Sequence, residues 1–251
     1  MSQKKAIITG GSRGLGRDMA INLAKDGVDI IFTYHSNETS ANEVISFVED
    51  LGQKAKAFAF DANHPNQGKT LVTKVTAYLK EVYGNPNFDF LVNNAGTGIF
   101  NLVGDTTEAQ FDEMMNIHLK SAYVLTQAAL PFINEGGRII NISSGLTRFS
   151  LPGMSAYAIM KGGLEVFTRY LAKELGSRKI TANVIAPGAI ATEFAGGSNK
   201  DPEKGKMIAS ITALGRVGEA EDIGGTVAFL CSDRAGWING QRIEVSGGML
   251  V

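Results

Sequence analysis

The chain has 251 residues, with 24 Lys and Arg against 25 Asp and Glu, for a formal net charge of −1. A hydrophobic share of 44% supports a full core and excludes a disordered chain, and the charge balance argues against a dedicated nucleic-acid binder, which would carry a basic excess. A single cysteine, Cys231, excludes an intramolecular disulfide framework and a cysteine-based zinc site.

Short β-branched or apolar runs recur along the chain, at Ala6–Thr9, Val28–Thr33, Ala55–Phe60, Phe88–Val92, Arg138–Ile142, Ile180–Ile185 and Arg242–Val245. Segments of helical character separate most of them. Leu15, Met19, Leu23 and Ala24 fall on one helical face, as do Leu164, Phe167, Leu171 and Leu175. Strands alternating with helices predict βαβ units and a mainly parallel, seven-stranded, doubly wound α/β sheet of the Rossmann type. No linker or repeat interrupts the pattern, so residues 1–251 read as a single domain. No apolar run reaches the roughly 18 residues of a membrane span, and the N-terminus lacks a signal-peptide pattern, so a cytoplasmic protein is expected.

In such sheets, ligands bind beyond the carboxyl ends of the strands. The residues after the predicted strands are small and polar: Gly10-Gly11-Ser12-Arg13-Gly14-Leu15-Gly16 after the first, Asn93-Asn94-Ala95-Gly96 after the fourth, Ser143-Ser144-Gly145 after the fifth and Ala186-Pro187-Gly188 after the sixth. The first loop ends a strand and opens a helix, a junction whose free N–H groups and dipole favour an anion. Residues 10–14 also match the G-x-S-x-G elbow of hydrolases, but no histidine follows His118 to complete a triad. Residues 11–16 have the glycine spacing of a P-loop, yet Arg17-Asp18 stands where that loop needs Lys and Ser or Thr. His35, His64 and His118 are scattered and suggest no metal site; His118 reads as structural, and Cys231 as a small buried hydrophobe.

Taken together, Thr9-Gly-x-x-x-Gly-x-Gly16, Asn93-Asn-Ala-Gly96, Asn116, Ser144, Tyr157-x-x-x-Lys161, Pro187-Gly188 and Gly240-Gln241…Gly247-Gly248 resemble the short-chain dehydrogenase/reductase family, most of all the 3-oxoacyl-thioester reductases and related ketone reductases. Ser144 precedes Tyr157 by 13 residues and follows Asn116 by 28. The resemblance implies reversible hydride transfer between a nicotinamide and a ketone or secondary alcohol. Within it, Asn116, Ser144, Tyr157 and Lys161 are the expected catalytic residues, and Asn116 is expected to support a water leading from the lysine. The resemblance also implies a homotetramer, a substrate lid over residues 189–214, and carrier-protein docking through basic residues. Arg178 matches one such residue, but Glu135 stands near the place of another.

The residues themselves suit that chemistry. Tyr157 and Lys161 lie one helical turn apart on a shared face. An adjacent ammonium, helped by a cationic oxidised nicotinamide, can lower a tyrosine's pKa; about 3 units, or roughly 4 kcal/mol, makes the phenolate accessible near neutrality. Ser144 can donate to the carbonyl oxygen as negative charge builds there. At the end of the second strand, Tyr34-His35-Ser36 offers no carboxylate for a ribose, and Asp29 lies at the wrong end. Arg13, in the glycine loop, can pair with a 2′-phosphate, with Ser36 and His35 as added donors, so NADP(H) is expected. By resemblance Asp61 and Ala62 contact adenine, Asn93, Ala95 and Gly96 wall the adenine ribose, Pro187, Gly188, Ile190 and Thr192 bond the carboxamide, and Lys161 holds the nicotinamide ribose.

Ile99, Phe100, Leu146, Phe149, Leu151, Met154, Phe194 and Met207 are the candidate pocket residues, mostly apolar and suited to an acyl chain or an aryl ketone alike. Two rival readings share the same motifs: a sugar, polyol or steroid dehydrogenase working oxidatively, and an NADP(H)-binding sensor without turnover.

Overall fold

The computed structural model describes residues 3–251. Seven strands form one sheet: β1 (Lys5–Ile8), β2 (Asp29–Tyr34), β3 (Ala55–Ala59), β4 (Phe88–Asn93), β5 (Ile133–Ile142), β6 (Thr181–Pro187) and β7 (Arg242–Val245). Their order is β3-β2-β1-β4-β5-β6-β7, and every pairing is parallel. Between them run α1 (Gly14–Lys25), α2 (Glu38–Asp50), α3 (Gln67–Tyr83), α4 (Glu108–Met115), α5 (Ser121–Ala129), α6 (Ser155–Glu174), α7 (Pro202–Ser210) and α8 (Glu221–Cys231). The strand order reverses between β1 and β4, which opens a crevice at their carboxyl ends.

The strands are apolar on both faces because helices cover both. Alternate residues divide between two cores. Ile8, Ile30, Val92 and Ile140 pack toward α1, α2 and α8, with Met19, Leu23, Val44 and Val227. Their neighbours Ile7, Ile31, Leu91 and Ile139 pack toward α3, α5 and α6, with Leu71, Val75, Leu125 and Leu171. The observed strands match the seven expected runs to within a few residues, except β5. That strand starts five residues earlier than expected, at Ile133, with Asn134, Glu135, Gly136 and Gly137 inside it. Polar residues and glycines hide the strand from any reading by hydrophobic pattern. Cys231 ends α8 fully buried, and burial pushes its thiol up to about 12.

The helix pair α1 and α8 is drawn together at a polar contact. The Gly224 N–H donates to Asp18 Oδ2 at 2.8 Å, and Asn22 Nδ2 donates to Asp18 Oδ1 at 3.0 Å. Burial raises the Asp18 pKa, against the pull of the Gly224 bond. A Cβ on Gly224 would stand 2.0 Å from Asp18 Oδ2. Gly224→Ala therefore forces the two helices apart or breaks the carboxylate's bonds. The expected loss is about 2 kcal/mol or more, read as a lower denaturation midpoint at unchanged far-UV circular dichroism.

Candidate active site

The glycine loop between β1 and α1 is held from both sides. Thr9 Oγ1 accepts the Asn94 and Ala95 N–H groups, each at 2.9 Å, and Asn94 Nδ2 donates to Thr9 O at 2.9 Å and Gly10 O at 3.1 Å. Gly10 and Gly14 have φ of +67° and +52°, which favour glycine. A Cβ on Gly16 would lie 2.1 Å from Gly10 O, so α1 can start only this close to the loop with glycine there. Ser12, Leu15 and Gly16 belong to the same turn, with Ser12 and Gly16 buried. Arg13, the residue preceding α1, is exposed; among the described residues no side-chain hydrogen bond or ion pair engages its guanidinium, although its charge helps lower the Glu193 pKa. Asn94 was not among the expected site residues. Its signal was its place after β4 and beside the loop, but nothing in sequence distinguishes it from Asn93.

Of the expected wall residues, Asn93 points elsewhere. Its Nδ2 donates to Thr126 Oγ1 at 3.0 Å and to Asn141 Oδ1 at 2.8 Å, inside the core. The pleat is the cause: Asn93 is the last residue of β4 and its side chain falls on an interior face. Gly96 lies over His118, and a Cβ there would come within 2.8 Å of the imidazole Cε1. Beyond β2, Tyr34 is half-buried and His35 and Ser36 are exposed. Asp61 lies 4.0 Å from His35 and accepts from Asn63 N at 2.9 Å and from His64 Nδ1 at 2.8 Å. Burial raises its carboxyl pKa, but the Asn63 and His64 bonds outweigh burial and hold it below the usual range. Ala62 is half-buried beside it. On the far side of the crevice, Pro187 ends β6, Gly188 and Thr192 are half-buried, and Ile190 is buried. The Thr192 side chain lies 3.5 Å from where a Gly14 Cβ would stand, so this segment crosses over the glycine loop.

Tyr157 and Lys161 lie on the buried face of α6, as their spacing predicts. Lys161 Nζ donates to Ile142 O, at the end of β5, at 2.7 Å and stands 5.5 Å from the Tyr157 ring centre. Ser144 follows β5 and caps a short 3₁₀ turn, its Oγ accepting the Leu146 N–H at 3.2 Å. The structure thus brings Ser144, Tyr157 and Lys161 together. Their electrostatics differ from the expectation that the lysine lowers the tyrosine. Burial pushes the Tyr157 phenol up to about 12, opposed by a side-chain hydrogen bond with Ser144, and burial pulls the Lys161 amine down to about 7. The protein groups alone shift both toward the uncharged form, because burial penalises the charged form of each.

Asn116 does not take the expected place. It ends the regular turns of α4 and begins a π-helical turn, Asn116–Lys120, and its carbonyl accepts the Ser121 N–H. Asn116 does not line the small cavity beside Lys161; Ile117 and His118 of the same turn do. The wide i→i+5 turn rotates the chain off the 100° per residue on which a helical reading rests. His118 is buried edge-on against Tyr157, with ring centres 4.9 Å apart, and its Nε2 lies 2.7 Å from Thr97 O.

Around Tyr157, Ile99, Leu146, Met154 and Phe194 close an apolar cluster with Met114 and Met160. Phe149 is half-buried against Gly145, while Phe100, Leu151 and Met207 are exposed at the surface. The Phe194 ring lies 5.6 Å from that of Tyr157. After Phe194 the chain takes three successive left-handed residues, Ala195, Gly196 and Gly197, before α7. Positive φ at Ala195 is strained for a residue with a Cβ.

A family profile described as enoyl-(acyl carrier protein) reductase matches residues 10–250. Over 98% of its length the chain is 37% identical to an uncharacterised oxidoreductase of Methylorubrum extorquens, covering 97% of that protein. It is 38% identical to an NADPH-dependent aldehyde reductase-like protein of Arabidopsis thaliana, covering 99% of this chain and 94% of the other. The solved angucycline C-6 ketoreductase LanV with bound NADP superposes with a TM-score of 0.94 at 36% identity, covering 98% of this chain and 95% of that one. The reductase LugOII, which catalyses keto-reduction at C1 during lugdunomycin biosynthesis, superposes with a TM-score of 0.94 at 39% identity, over 99% and 98% of the two chains. Agreement of this extent in both sequence and fold means that the chain belongs to the short-chain dehydrogenase/reductase family of oxidoreductases.

Proposed function

We propose that the protein reduces the carbonyl of a free, largely apolar ketone, with NADP(H) as the hydride carrier. The observation that carries this reading is a buried phenol, Tyr157, set among apolar side chains with a buried amine and a serine hydroxyl beside it. The LanV neighbour is a ketoreductase with bound NADP, and the Arabidopsis relative is described as NADPH-dependent.

The residues present fit such a dinucleotide. The loop from Gly10 to Gly16 is a backbone cradle whose glycines have no room for, or no tolerance of, a side chain, and it opens α1 at its N-terminus, where N–H groups point at an anion. Arg13 is exposed, with no side-chain partner for its donors among the described residues, and is the residue that would meet a 2′-phosphate. His35 and Ser36 lie exposed on the same side. The bound cofactor supplies the hydride. Ser144 donates a hydrogen bond to the substrate oxygen, and Tyr157, protonated up to about 12, gives that oxygen its proton. Lys161 presents its amine beside the phenol and holds the nicotinamide ribose. Ile99, Leu146, Met154 and Phe194 exclude water around the reacting oxygen.

Delivery of the ketone as a thioester on a carrier protein is disfavoured. Arg178, the residue matched to docking, pairs with Glu135 at 2.9 Å and donates to Leu130 O and Ile133 O. Its guanidinium is already committed within the fold. The apolar lining likewise disfavours a sugar or polyol. Segment 189–214 serves as the lid, with Phe194 over Tyr157. We extend the reading to a homotetramer, supported by apolar side chains left exposed on α5 and α6, among them Tyr123, Ile159, Val166 and Tyr170. A cytoplasmic place of action belongs to the same reading; no helix among the described residues is long and apolar enough to cross a membrane.

Tyr157→Phe removes the proton donor and little else. Turnover of an aryl or polycyclic ketone, followed by NADPH absorbance, is expected to fall at least 100-fold, while fluorescence titration gives an NADPH Kd within about twofold of the parent. Retained turnover contradicts the reading. Arg13→Ala is expected to weaken NADPH binding about tenfold and leave NADH binding unchanged; equal weakening of both shows that the guanidinium does not meet the 2′-phosphate. The pH dependence follows from Lys161. Its amine is charged below about 7 and loses its charge as pH rises, while Tyr157 stays protonated throughout. The kcat/KM for reduction is therefore expected to be level below pH 7 and to decline above it. A flat profile from pH 6 to 9 contradicts this.

A further inference from the structure

Beside Lys161 lies a small cavity with about 10 Å³ of room for the centre of a water molecule, walled by Thr9, Asn93, His118, Ser121 and Lys161 among others. That is about the space one water needs. Two buried side-chain atoms of these walls lack a partner among the described residues: Asn93 Oδ1 and His118 Nδ1. Burial, then the Lys161 charge, holds the His118 imidazole well below its ordinary pKa, so it is neutral, with one donor and one acceptor. Nε2 lies 2.7 Å from Thr97 O and only 3.4 Å from Thr97 N, so the shorter contact fixes Nε2–H as the donor. Nδ1 is left as an acceptor alone. Lys161 spends one donor on Ile142 O and has others to place.

A single water in this cavity would satisfy all three groups, donating one hydrogen to His118 Nδ1 and the other to Asn93 Oδ1 and accepting from Lys161 Nζ. We propose that His118, together with Asn93, holds an ordered water against Lys161, making His118 a positioning residue for the Tyr157–Lys161 pair in the role expected of Asn116. The inference rests on the proposed function and extends it. The Asn116 carbonyl is taken by Ser121 N–H, whereas His118 touches both the cavity and the Tyr157 ring. The water gives the amine an acceptor that steadies its charged form.

The test uses the full-length protein with NADPH and a ketone that the parent reduces. His118→Leu removes the acceptor, His118→Phe removes it while keeping an aromatic edge against Tyr157, and His118→Asn restores a polar atom. In whichever of the first two folds, kcat is expected to fall at least tenfold, with KM and the fluorescence-measured NADPH Kd within twofold of the parent. The decline of kcat with rising pH should also begin at lower pH, because the charged amine has lost a partner. His118→Asn is expected to recover at least a third of the parent kcat. A kcat within twofold of the parent in either apolar variant overturns the inference. So does an NADPH Kd that weakens in step with kcat, or His118→Asn as poor as His118→Leu. Tyr157→Phe run alongside separates the cases: an active Tyr157→Phe defeats the functional reading itself, and an inactive one beside a fully active His118→Leu defeats the role of His118 only.

Discussion

The amine of Lys161 is held out of water at the carboxyl end of β5, with a backbone carbonyl, Ile142 O, as its hydrogen-bonded protein acceptor. Taking an ammonium from water is costly unless it is paired, and no carboxylate bonds to this one among the described residues. The site therefore depends on the rest of the fold pressing α6 onto the sheet. Leu164 and Leu171 supply apolar contact, and a chain of buried amides supplies direction. Asn93 Nδ2 donates to Asn141 Oδ1, Asn141 Nδ2 donates to Thr168 Oγ1, each at 2.8 Å, and Thr168 Oγ1 donates to Leu164 O at 2.8 Å. The ladder crosses β4, β5 and α6 just below Lys161. A buried network with most of its members satisfied fixes one arrangement where apolar contact alone tolerates several.

The same arrangement sets the chemistry. A phenol kept protonated by burial carries its proton at every physiological pH but yields it less readily than a free phenol, and an amine brought near 7 by burial changes charge within the physiological range. In the proposed reduction the phenol holds its proton until negative charge builds on the carbonyl oxygen, and oxidation of an alcohol needs additional positive charge near the phenol. Around this pair the crevice is assembled from backbone, with Thr9 and Asn94 fixing the glycine loop. Side-chain entropy is spent on few residues, and the loop arrives preorganised. An ion network fastens the Ser144 turn from outside. Glu165 accepts from Ser143 and Thr147 at 2.7 Å and from Arg242 at 2.8 Å, and Arg148 joins Glu244 to the backbone carbonyls of Met249 and Leu250.

Much of this was legible in the chain. Strands covered on both faces announce themselves as apolar runs, and Ile7-Ile8 or Ile30-Ile31 could hardly form anything else between glycine turns. The meeting of Ser144, Tyr157 and Lys161 was recoverable because each lies in regular structure or just after it. The errors share a physical origin. Asn116 and His118 differ by two positions, and a π turn decides which of them faces the lysine; no periodicity of 3.6 contains that information. Asn93 and Asn94 are adjacent and chemically identical, and only the pleat at the end of β4 turns one inward and the other to the loop. The start of β5 has the composition of a turn, and pairing with Phe88 makes it a strand. The sign of the Tyr157 shift depends on how much water reaches the pair, which is a property of the packed site rather than of residue spacing.

The central claim is that the Lys161 amine is desolvated and titrates within the physiological range. Selective ¹³C labelling of lysine side chains at Cε, with Lys161→Met to assign the resonance, allows its titration to be followed by NMR in the full-length protein. A Lys161 midpoint near 7, with the other lysine resonances titrating above 10, is the predicted result. A Lys161 midpoint among those of the exposed lysines would contradict the account.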